Sequence, residues 1–334
     1  MMTGRERVKR ALTFDCPDRA PRDVWALPYV QLFRQVELDE LRAEFPMDIG
    51  SPQLSPGWSD EVVQATRTPG YYRDDWGSVW HVGEAGVIGE VKEPALADWS
   101  ALARFQPPWR LVGGRDLSHA NRCCAKSDQF MLSDVTARPF ERLQFLRGTQ
   151  NLYYDIGYGV PELRVLLEMV HEFYLEDIRG WCASDVDGIF FMDDWGTNTT
   201  LLIRPQMWRE VFKPLYREYC EIIHAAGKFA FFHSDGHIQD IFGDLVEVGM
   251  DAVNSQLFTM DIEELARLYK GKVTFWGEMD RQHVLPFGTP EEVRAAVHRV
   301  RRALDDGRGG LIAQCEWGKD NPKENIETVF REWL

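Results

Sequence analysis

The segment KFAFFHSDGHIQDIFGDLVEVGMDAVNSQ (228–256) decides the fold. It begins and ends with short runs of apolar residues, and the apolar side chains of residues 237–249, between these runs, recur at helical spacing. Continuous apolar runs are typical of strands that are buried on both faces. A strand, a helix and a second strand in this order indicate two parallel strands joined by a crossover helix. The segment therefore predicts an α/β protein with a parallel sheet.

The same alternation extends over most of the chain. The candidate helices are 161–183, 204–227, 237–249, 261–269 and 289–307. Seven apolar runs are candidate strands, one fewer than a barrel needs, and we expect the eighth within 143–160 or in a poorly patterned stretch. The seven runs are 23–29, 129–134, 188–194, 228–235, 251–256, 272–280 and 310–317.

Two parallel α/β architectures fit this order of elements, a (β/α)8 barrel and a doubly wound sheet. The chain has 334 residues, and single-domain barrels commonly exceed about 250 residues. No G-x-G-x-x-G follows a candidate strand and no G-x-x-x-x-G-K-[ST] occurs, so the usual phosphate loops of doubly wound folds are missing. The prediction is α/β, a single (β/α)8 TIM barrel over residues 1–334 with an irregular N-terminal region.

Composition excludes several classes of protein. Lysine and arginine number 38 against 53 aspartates and glutamates, a net charge of −15, which argues against a nucleic-acid partner. No apolar run approaches the roughly 18 residues of a membrane helix, and the first residues show no secretory signal. The six cysteines are too sparse for a disulfide framework, so we expect a cytoplasmic protein.

Polar residues follow most of the candidate strands. In a parallel barrel the active site forms at the carboxyl ends of the strands, so these residues should meet in one pocket. Histidine, carboxylates and a cysteine at successive strand ends predict metal-ligand chemistry. The strand-end residues are Asp193, Asp194, His233, Asp235, Asn254, Gln256, Glu278, Asp280, Cys315 and Glu316.

His233 and Cys315 are the first candidates for metal ligands, because zinc prefers imidazole and thiolate. Asp235 or Glu278 could supply an oxygen ligand, and positions 233 and 235 of an extended strand project to the same side. We predict a zinc site at His233, Asp235 and Cys315. The alternative is that His233 bonds a neighbouring backbone group and that Cys315 is a small core residue.

Asp193 and Asp194 are adjacent at a strand end, so only one of them should enter the pocket. The other would cap a helix or pair with an arginine. Twelve tryptophans would supply an aromatic wall for an apolar or aromatic ligand. We expect catalytic roles for Asp194 and Glu278, and substrate contacts from Trp25, Asp193, Asn254 and Gln256.

Long collinear segments carry a family resemblance. They include RERVKRALTFDCPDRAPRDVW (5–25), FWGEMDRQHVLPFGTPEEVRAAV (275–297), NPKENI (321–326) and, most densely, residues 193–238. The chain resembles the uroporphyrinogen decarboxylase superfamily and, within it, the methyltransferase-like branch that includes the corrinoid-linked methyltransferases. This resemblance implies a single (β/α)8 barrel with its pocket at the strand carboxyl ends.

The chain departs from the superfamily at two motifs. The decarboxylases carry R-Q-A-G-R, which holds substrate carboxylates, whereas this chain reads WALPYVQLFRQ (25–35) and only Arg34 is close. An octacarboxylate substrate needs several cations, so we do not expect porphyrinogen decarboxylation. The methyltransferase branch holds zinc with H-x-C and a later cysteine. The chain matches this pattern at His233 and Cys315 but has Asp235 in place of the first cysteine.

The resemblance implies a zinc-dependent methyltransferase. A methyl group would pass between a methylated small molecule, or a thiol or folate-type acceptor, and a corrinoid on a separate protein, because the barrel leaves no room for a corrinoid domain. Two alternatives stay open: a metal-free decarboxylase of a small carboxylated substrate, and a barrel that binds a ligand without turnover. Family members often form dimers, so a homodimer is expected.

Overall fold

The computed structural model describes residues 2–52 and 59–333. Its strands are β1 Arg22–Ala26, β2 Ile49–Gly50, β3 Gly70–Arg73, β4 Val79–Val82, β5 Glu90–Glu93, β6 Phe130–Met131, β7 Gly188–Met192, β8 Phe229–Ser234, β9 Ala252–Ser255, β10 Thr274–Trp276 and β11 Leu311–Trp317.

Helices occupy most of the remaining chain. The α-helices are α1 Gly4–Leu12, α2 Pro28–Phe33, α3 Gln35–Glu44, α4 Asp60–Ala65, α5 Ser118–Lys126, α6 Pro139–Arg147, α7 Thr149–Tyr158, α8 Pro161–Cys182, α9 Pro205–Val211, α10 Lys213–Ala225, α11 Gln239–Val248, α12 Ile262–Tyr269, α13 Val284–Phe287, α14 Pro290–Leu304 and α15 Lys323–Glu332. Short 3-10 helices cover Trp99–Arg104, Trp109–Leu111 and Leu257–Thr259. No described helix is both long and apolar enough to cross a membrane.

Six parallel strands form a curled half-barrel in the order β1-β11-β10-β9-β8-β7. The register places Met192 beside His233 and His233 beside Asn254, so the carboxyl ends of β7, β8 and β9 lie at one edge. Helices cover the outer face, as the strand–helix alternation predicts. The α/β class with a parallel sheet is therefore confirmed.

Two small sheets accompany the half-barrel. β2 and β6 form a parallel pair, and β3, β4 and β5 form an antiparallel sheet. Hydrogen bonds join the parallel pair to both ends of the half-barrel. The Asp48 N–H donates to the Arg22 carbonyl at 2.9 Å, and Leu132 forms an isolated parallel bridge with Gly188.

Of the two alternatives for an additional strand, one is wrong and the other is confirmed. The stretch 143–160 holds no strand, because α6 and α7 occupy it, whereas a poorly patterned strand exists as the two-residue β2. Such a strand is too short to show any periodicity. The N-terminal region is also more regular than expected, since α1–α4 and β1–β5 precede residue 94. Their lengths of two to ten residues hide them from periodicity arguments.

The helix signals of the sequence are confirmed. Gly249 follows α11 with a φ of 102°, a conformation that glycine adopts without strain. The Thr289 side chain accepts from the Glu292 N–H, and the Glu292 side chain accepts from the Thr289 N–H, which completes a capping box at α14.

The strands bury side chains on both faces. On the inner face Phe231, Trp276 and Ile312 pack with Val8 and Leu12 of α1, so α1 closes the amino-terminal end of the half-barrel. Full burial of such a side chain contributes roughly 1.5–3 kcal/mol. The polar strand ends therefore lie above a well-packed apolar floor.

Candidate functional site

The carboxyl ends of β7 and β8 bring Asp194, His233 and Asp235 together. The Nε2 atom of His233 lies 3.3 Å from Oδ1 of Asp235 and 3.6 Å from Oδ1 of Asp194. One possible ligand atom from each residue lies within 4.8 Å of the other two. We call these three residues the metal-ligand group, because their donor atoms are close enough to bind one ion.

Two glycines hold the loops after β7 and β8 against each other. A Cβ atom on Gly196 would lie 2.3 Å from the backbone nitrogen of His237, and one on Gly236 would lie 2.2 Å from the Gly196 oxygen. The Gly196 N–H donates to the Asp235 carbonyl at 3.0 Å. Only glycine permits this approach, so the two glycines bring Asp194 and Asp235 to one place.

Asn254 orients the imidazole ring of His233. Its Nδ2 donates to the Trp276 carbonyl at 2.5 Å, which turns its Oδ1 toward Nδ1 of His233 at 2.6 Å. Because that oxygen can only accept, Nδ1 carries the proton. Nε2 is then the nitrogen that faces the two aspartates. Asn254 was predicted to bind substrate, but in the structure it is fully buried and positions the histidine.

The charges within the metal-ligand group depend on one another. Burial alone would lower the pKa of His233, but Asp235, Asp194 and Glu278 raise it to about 10. Burial and the neighbouring Glu141 and Asp235 raise the pKa of Asp194 to about 6. Burial raises the pKa of Asp235, but its contacts with His233 and Arg281 outweigh this effect and lower it well below its usual range.

Arg281 is a site residue that the sequence analysis missed. Its guanidinium contacts Oδ2 of Asp235, lies 2.7 Å from Oε1 of Glu316 and reaches within 3.7 Å of Oε2 of Glu278. It stands in a loop after β10, where no strand pattern marks its direction. The charge of three nearby carboxylates was the signal that could have indicated a buried cation here.

Glu278 is a deeply buried acid near the metal-ligand group, with 1% of its surface exposed. Neither carboxylate oxygen has a hydrogen-bond partner among the described residues. Burial is the main cause that raises the pKa of Glu278 to about 8, with Asp235 and Glu316 adding to the rise and Arg281 opposing it. The side chain can therefore carry a proton at neutral pH.

Asp193 points away from the site, as the alternation of the strand predicts for one of the two aspartates. Its carboxylate accepts from the N–H groups of Phe140 and Glu141, both at 2.8 Å, and from the Tyr216 hydroxyl at 2.7 Å. These N–H groups begin α6 and lack helical partners of their own. The prediction that Asp193 binds substrate is wrong, because the residue caps a helix.

Cys315 does not lie with His233 and Asp235. It is fully buried in the apolar layer that contains Ala313 and Trp317. Gln314 and Glu316 alternate with these residues and occupy the other face of β11. Burial raises the pKa of the Cys315 thiol above its ordinary value, which is the opposite of what a thiolate ligand needs.

A cavity of about 720 Å³ adjoins the metal-ligand group. Trp25 joins the two, since its ring lies 5.0 Å from the ring of His233 and also lines the cavity. Gln256, a second predicted substrate contact, instead borders a smaller cavity of about 40 Å³ beside Glu278 and Arg281. The main lining groups of the large cavity are Asp23, Trp25, Arg42, Asp134, Phe190 and Trp276.

Asp23 was not predicted as a site residue, because it lies near the start of β1 and not at its carboxyl end. Its Oδ2 accepts from the indole N–H groups of Trp25 and Trp276 at 3.0 and 2.9 Å. Burial raises the pKa of Asp23 to about 6, although these two hydrogen bonds oppose the rise. A carboxyl group 6% exposed thus stands in the cavity wall.

The family model for uroporphyrinogen decarboxylase (URO-D) matches residues 139–332, which is more than half of the chain. The chain belongs to the uroporphyrinogen decarboxylase family. The resemblance described from the sequence motifs is therefore confirmed, and membership of this family indicates an enzyme. No curated protein matches the sequence of this family member.

Solved structures of similar fold include a methyltransferase from Methanosarcina mazei. It is 13% identical, has a TM-score of 0.71, and the alignment covers 100% of this chain and 98% of that chain. This family member thus shares the fold of a methyltransferase. A glycosylated endo-beta-1,4-xylanase of glycoside hydrolase family 10 from Gloeophyllum trabeum is 11% identical, with a TM-score of 0.49 and coverage of 99% of both chains. A score of this size supports no argument.

Proposed function

We propose that the chain is a metal-dependent methyltransferase whose ion is held by Asp194, His233 and Asp235. The methyl group would move between a methylated small molecule and a corrinoid on a separate protein. The observation that carries the proposal is the metal-ligand group itself, with three donor atoms within 4.8 Å of one another at the edge where the strands end. Family membership and the shared fold of a methyltransferase support the reaction type.

The donor set fits a divalent cation. Imidazole nitrogen and carboxylate oxygen are ligands of zinc and of several other first-row metals. Oδ1 of Asp235 is buried and faces Nε2 of His233 at 3.3 Å, so both atoms could bind one ion. The hydrogen bond from His233 to Asn254 fixes the ring, which is the usual arrangement around a metal-bound histidine.

The charges around the group also favour a cation. Asp235, Glu278 and Glu316 share the guanidinium of Arg281, and Asp194 lies with Asp235 beside His233. The pKa values of Asp194, Glu278 and Glu316 are raised, mainly by burial. A cation would compensate for this excess of carboxylates, and the raised pKa of the ligand Asp194 would then fall.

Each residue has a part in this chemistry. A bound divalent ion would supply Lewis-acid polarisation of the heteroatom that carries the methyl group. Asn254 would hold Nε2 of His233 toward the aspartates, and Arg281 would fix the carboxylate of Asp235. Glu278 would carry a proton on its carboxyl group and donate it to the heteroatom that the methyl group leaves. Trp25 would form the wall between the ion and the substrate.

We further propose that the half-barrel closes into the eight-stranded barrel predicted from the sequence. β2 and β6 would fill the gap between β1 and β7. The hydrogen bond from Asp48 to Arg22 and the bridge between Leu132 and Gly188 support this closure at both edges. The metal-ligand group and the 720 Å³ cavity would then share a single mouth.

Metal content tests the ligand assignment directly. Protein purified without added metal would be analysed by inductively coupled plasma mass spectrometry for the wild type and for three variants. We expect near-stoichiometric metal in the wild type, in Cys315→Ala and in His298→Ala, a matched control at a surface histidine that pairs with Glu332. His233→Ala should lose the metal. Metal retained in His233→Ala, or lost in Cys315→Ala, would overturn the assignment.

The reaction type needs a separate assay. Free cob(I)alamin can replace the corrinoid protein, and its conversion to methylcobalamin can be followed by absorbance with a panel of methyl donors. We expect conversion that depends on metal and falls at least 100-fold in His233→Ala. Carbon dioxide release from a carboxylated substrate by metal-free protein would favour the decarboxylase alternative instead. That alternative has less support, because Arg42 is the one arginine among the described residues that line the large cavity.

A further inference from the structure

The aromatic part of the large cavity is a continuous cluster. The ring centroids of Trp25 and Trp276 are 5.0 Å apart, those of Trp25 and Phe190 5.6 Å, and those of Phe190 and Trp276 5.3 Å. All three side chains line the cavity together with Asp23. We call these four residues the aromatic–carboxylate wall.

The carboxylate of this wall is held in place by the rings themselves. Both indole N–H groups donate to the same oxygen of Asp23, Oδ2. No salt bridge to Asp23 is found among the described residues, so its charge is compensated only by hydrogen bonds and by the more distant Arg42. A buried carboxylate without an ion-pair partner attracts a cation from the solvent.

The charge of Arg42, the one cation among the described residues of the cavity lining, does not cancel the negative charge of Asp23. Arg42 is exposed to solvent, where water screens its charge, whereas Asp23 is 6% exposed. Asp134 adds a second carboxyl group to the lining. The neighbouring metal-ligand group contributes further carboxylates across Trp25.

We propose that this cavity binds a methylated ammonium compound, with Asp23 as its counter-ion and the rings of Trp25, Phe190 and Trp276 around its methyl groups. Such a cation is weakly hydrated and gains from aromatic faces as well as from a carboxylate. The cavity volume of about 720 Å³ lies within the range of small-molecule sites and leaves room for a body larger than the ammonium group.

Trp25 separates the wall from the metal-ligand group, since its ring lies 5.0 Å from the ring of His233 and also lines the cavity. A ligand held against Trp25 therefore lies outside the metal-ligand group. Binding itself needs only the wall, so it can be measured with or without metal.

Calorimetry with choline and its uncharged isostere 3,3-dimethylbutan-1-ol tests the charge requirement at pH 8. We expect choline to bind at least tenfold more tightly than the isostere. Asp23→Asn should abolish this preference and leave the affinity for the isostere within about twofold. Equal affinities of the wild type for both probes would overturn the proposal.

Three further variants keep the test decisive if Asp23→Asn folds poorly. Trp25→Phe retains a ring and loses one donor to Asp23, so it should retain the preference for choline. Trp25→Leu should lower the affinity for choline at least fivefold. Arg42→Gln should bind choline unchanged or more tightly. Benzoate that binds the wild type more tightly than choline, and is lost in Arg42→Gln, would show an anion site and overturn the proposal.

The metal-ligand variant separates this inference from the proposed function. His233→Ala should bind choline as the wild type does, because the aromatic–carboxylate wall is intact. Loss of choline binding in that variant would mean that the cation contacts the metal-ligand group and not the wall. Wild-type protein that binds choline but no metal would support the inference and contradict the proposed function.

Discussion

Asn254 places its Oδ1 2.6 Å from Nδ1 of His233, on the side of the imidazole opposite the nitrogen that faces Asp194 and Asp235. The amide is itself fixed by its hydrogen bond to the Trp276 carbonyl. One fully buried amide thus decides which nitrogen of the histidine is presented to the site.

Asn254→Ala should lower metal affinity by about 10- to 100-fold although all three ligands remain, because the imidazole loses the partner that fixes its orientation. Competition with a chromogenic chelator measures the affinity. Asn151→Ala is a matched control, since that amide also donates to a backbone carbonyl but lies far along the chain, next to Arg147. An unchanged affinity in Asn254→Ala would show that the amide does not position His233.

Asp193→Ala and Asp194→Ala should have opposite effects, although the two residues are adjacent. Removing Asp193 leaves two N–H groups at the start of α6 and the Tyr216 hydroxyl without their acceptor, which should lower the free energy of unfolding by about 3 kcal/mol. Asp194→Ala should change the free energy of unfolding by less than about 1 kcal/mol and lose the metal. Urea denaturation and metal analysis of both variants check this, and a metal-free but fully stable Asp193→Ala would reverse the assignment.

Asp23→Asn should stabilise the protein at high pH. The pKa of Asp23 is raised to about 6 in the folded state, so the folded protein binds this proton more tightly than the unfolded chain does. The stability from the protonated group is complete below pH 4 and is lost as the pH rises through 6. At pH 8 burial of the charged carboxyl group lowers the free energy of unfolding by about 3 kcal/mol at most. Asparagine avoids that cost, and its gain in the free energy of unfolding should fall to about half at pH 5. A gain independent of pH would contradict the burial of a charged Asp23.

Arg281→Met should destabilise the metal-free protein, because it removes the cation that Asp235, Glu278 and Glu316 share. Breaking a buried ion pair by removing one partner costs about 3 kcal/mol or more. The loss should be largest at pH 8 and smaller at pH 6, where Glu278 takes up a proton. Lys319→Met, which breaks a surface pair with Glu84, is the control. An equal loss at both pH values would show that packing, not charge, causes the effect.

Much of the fold could be predicted from the sequence because the long elements carry their own periodicity. The runs 188–194 and 228–235 became β7 and β8, and 161–183 became α8. β2 could not be predicted, because two residues show no alternation. The helices α6 and α7 could not be predicted, because the apolar pattern of residues 143–160 fits a poorly patterned strand as well as short helices.

Site residues at strand ends could be predicted from the alternation of the strands, whereas those in loops could not. The period of two places His233 and Asp235 on one side, and the structure agrees. The same period places Cys315 and Glu316 on opposite faces of β11. The alternation therefore argues against Cys315 as a ligand in the pocket that Glu316 faces. Arg281 follows a strand end in a loop, where no period applies, and only the structure shows its direction.

The central claim is that nitrogen and oxygen atoms, without the Cys315 sulfur, hold the metal. X-ray absorption spectroscopy of the zinc-loaded protein measures this directly, since a sulfur ligand scatters at about 2.3 Å and nitrogen or oxygen ligands at about 2.0–2.2 Å. We predict a first shell of nitrogen and oxygen alone, with imidazole scattering that disappears in His233→Ala and an unchanged spectrum in Cys315→Ala. A scatterer at the zinc–sulfur distance that is lost in Cys315→Ala would contradict the account.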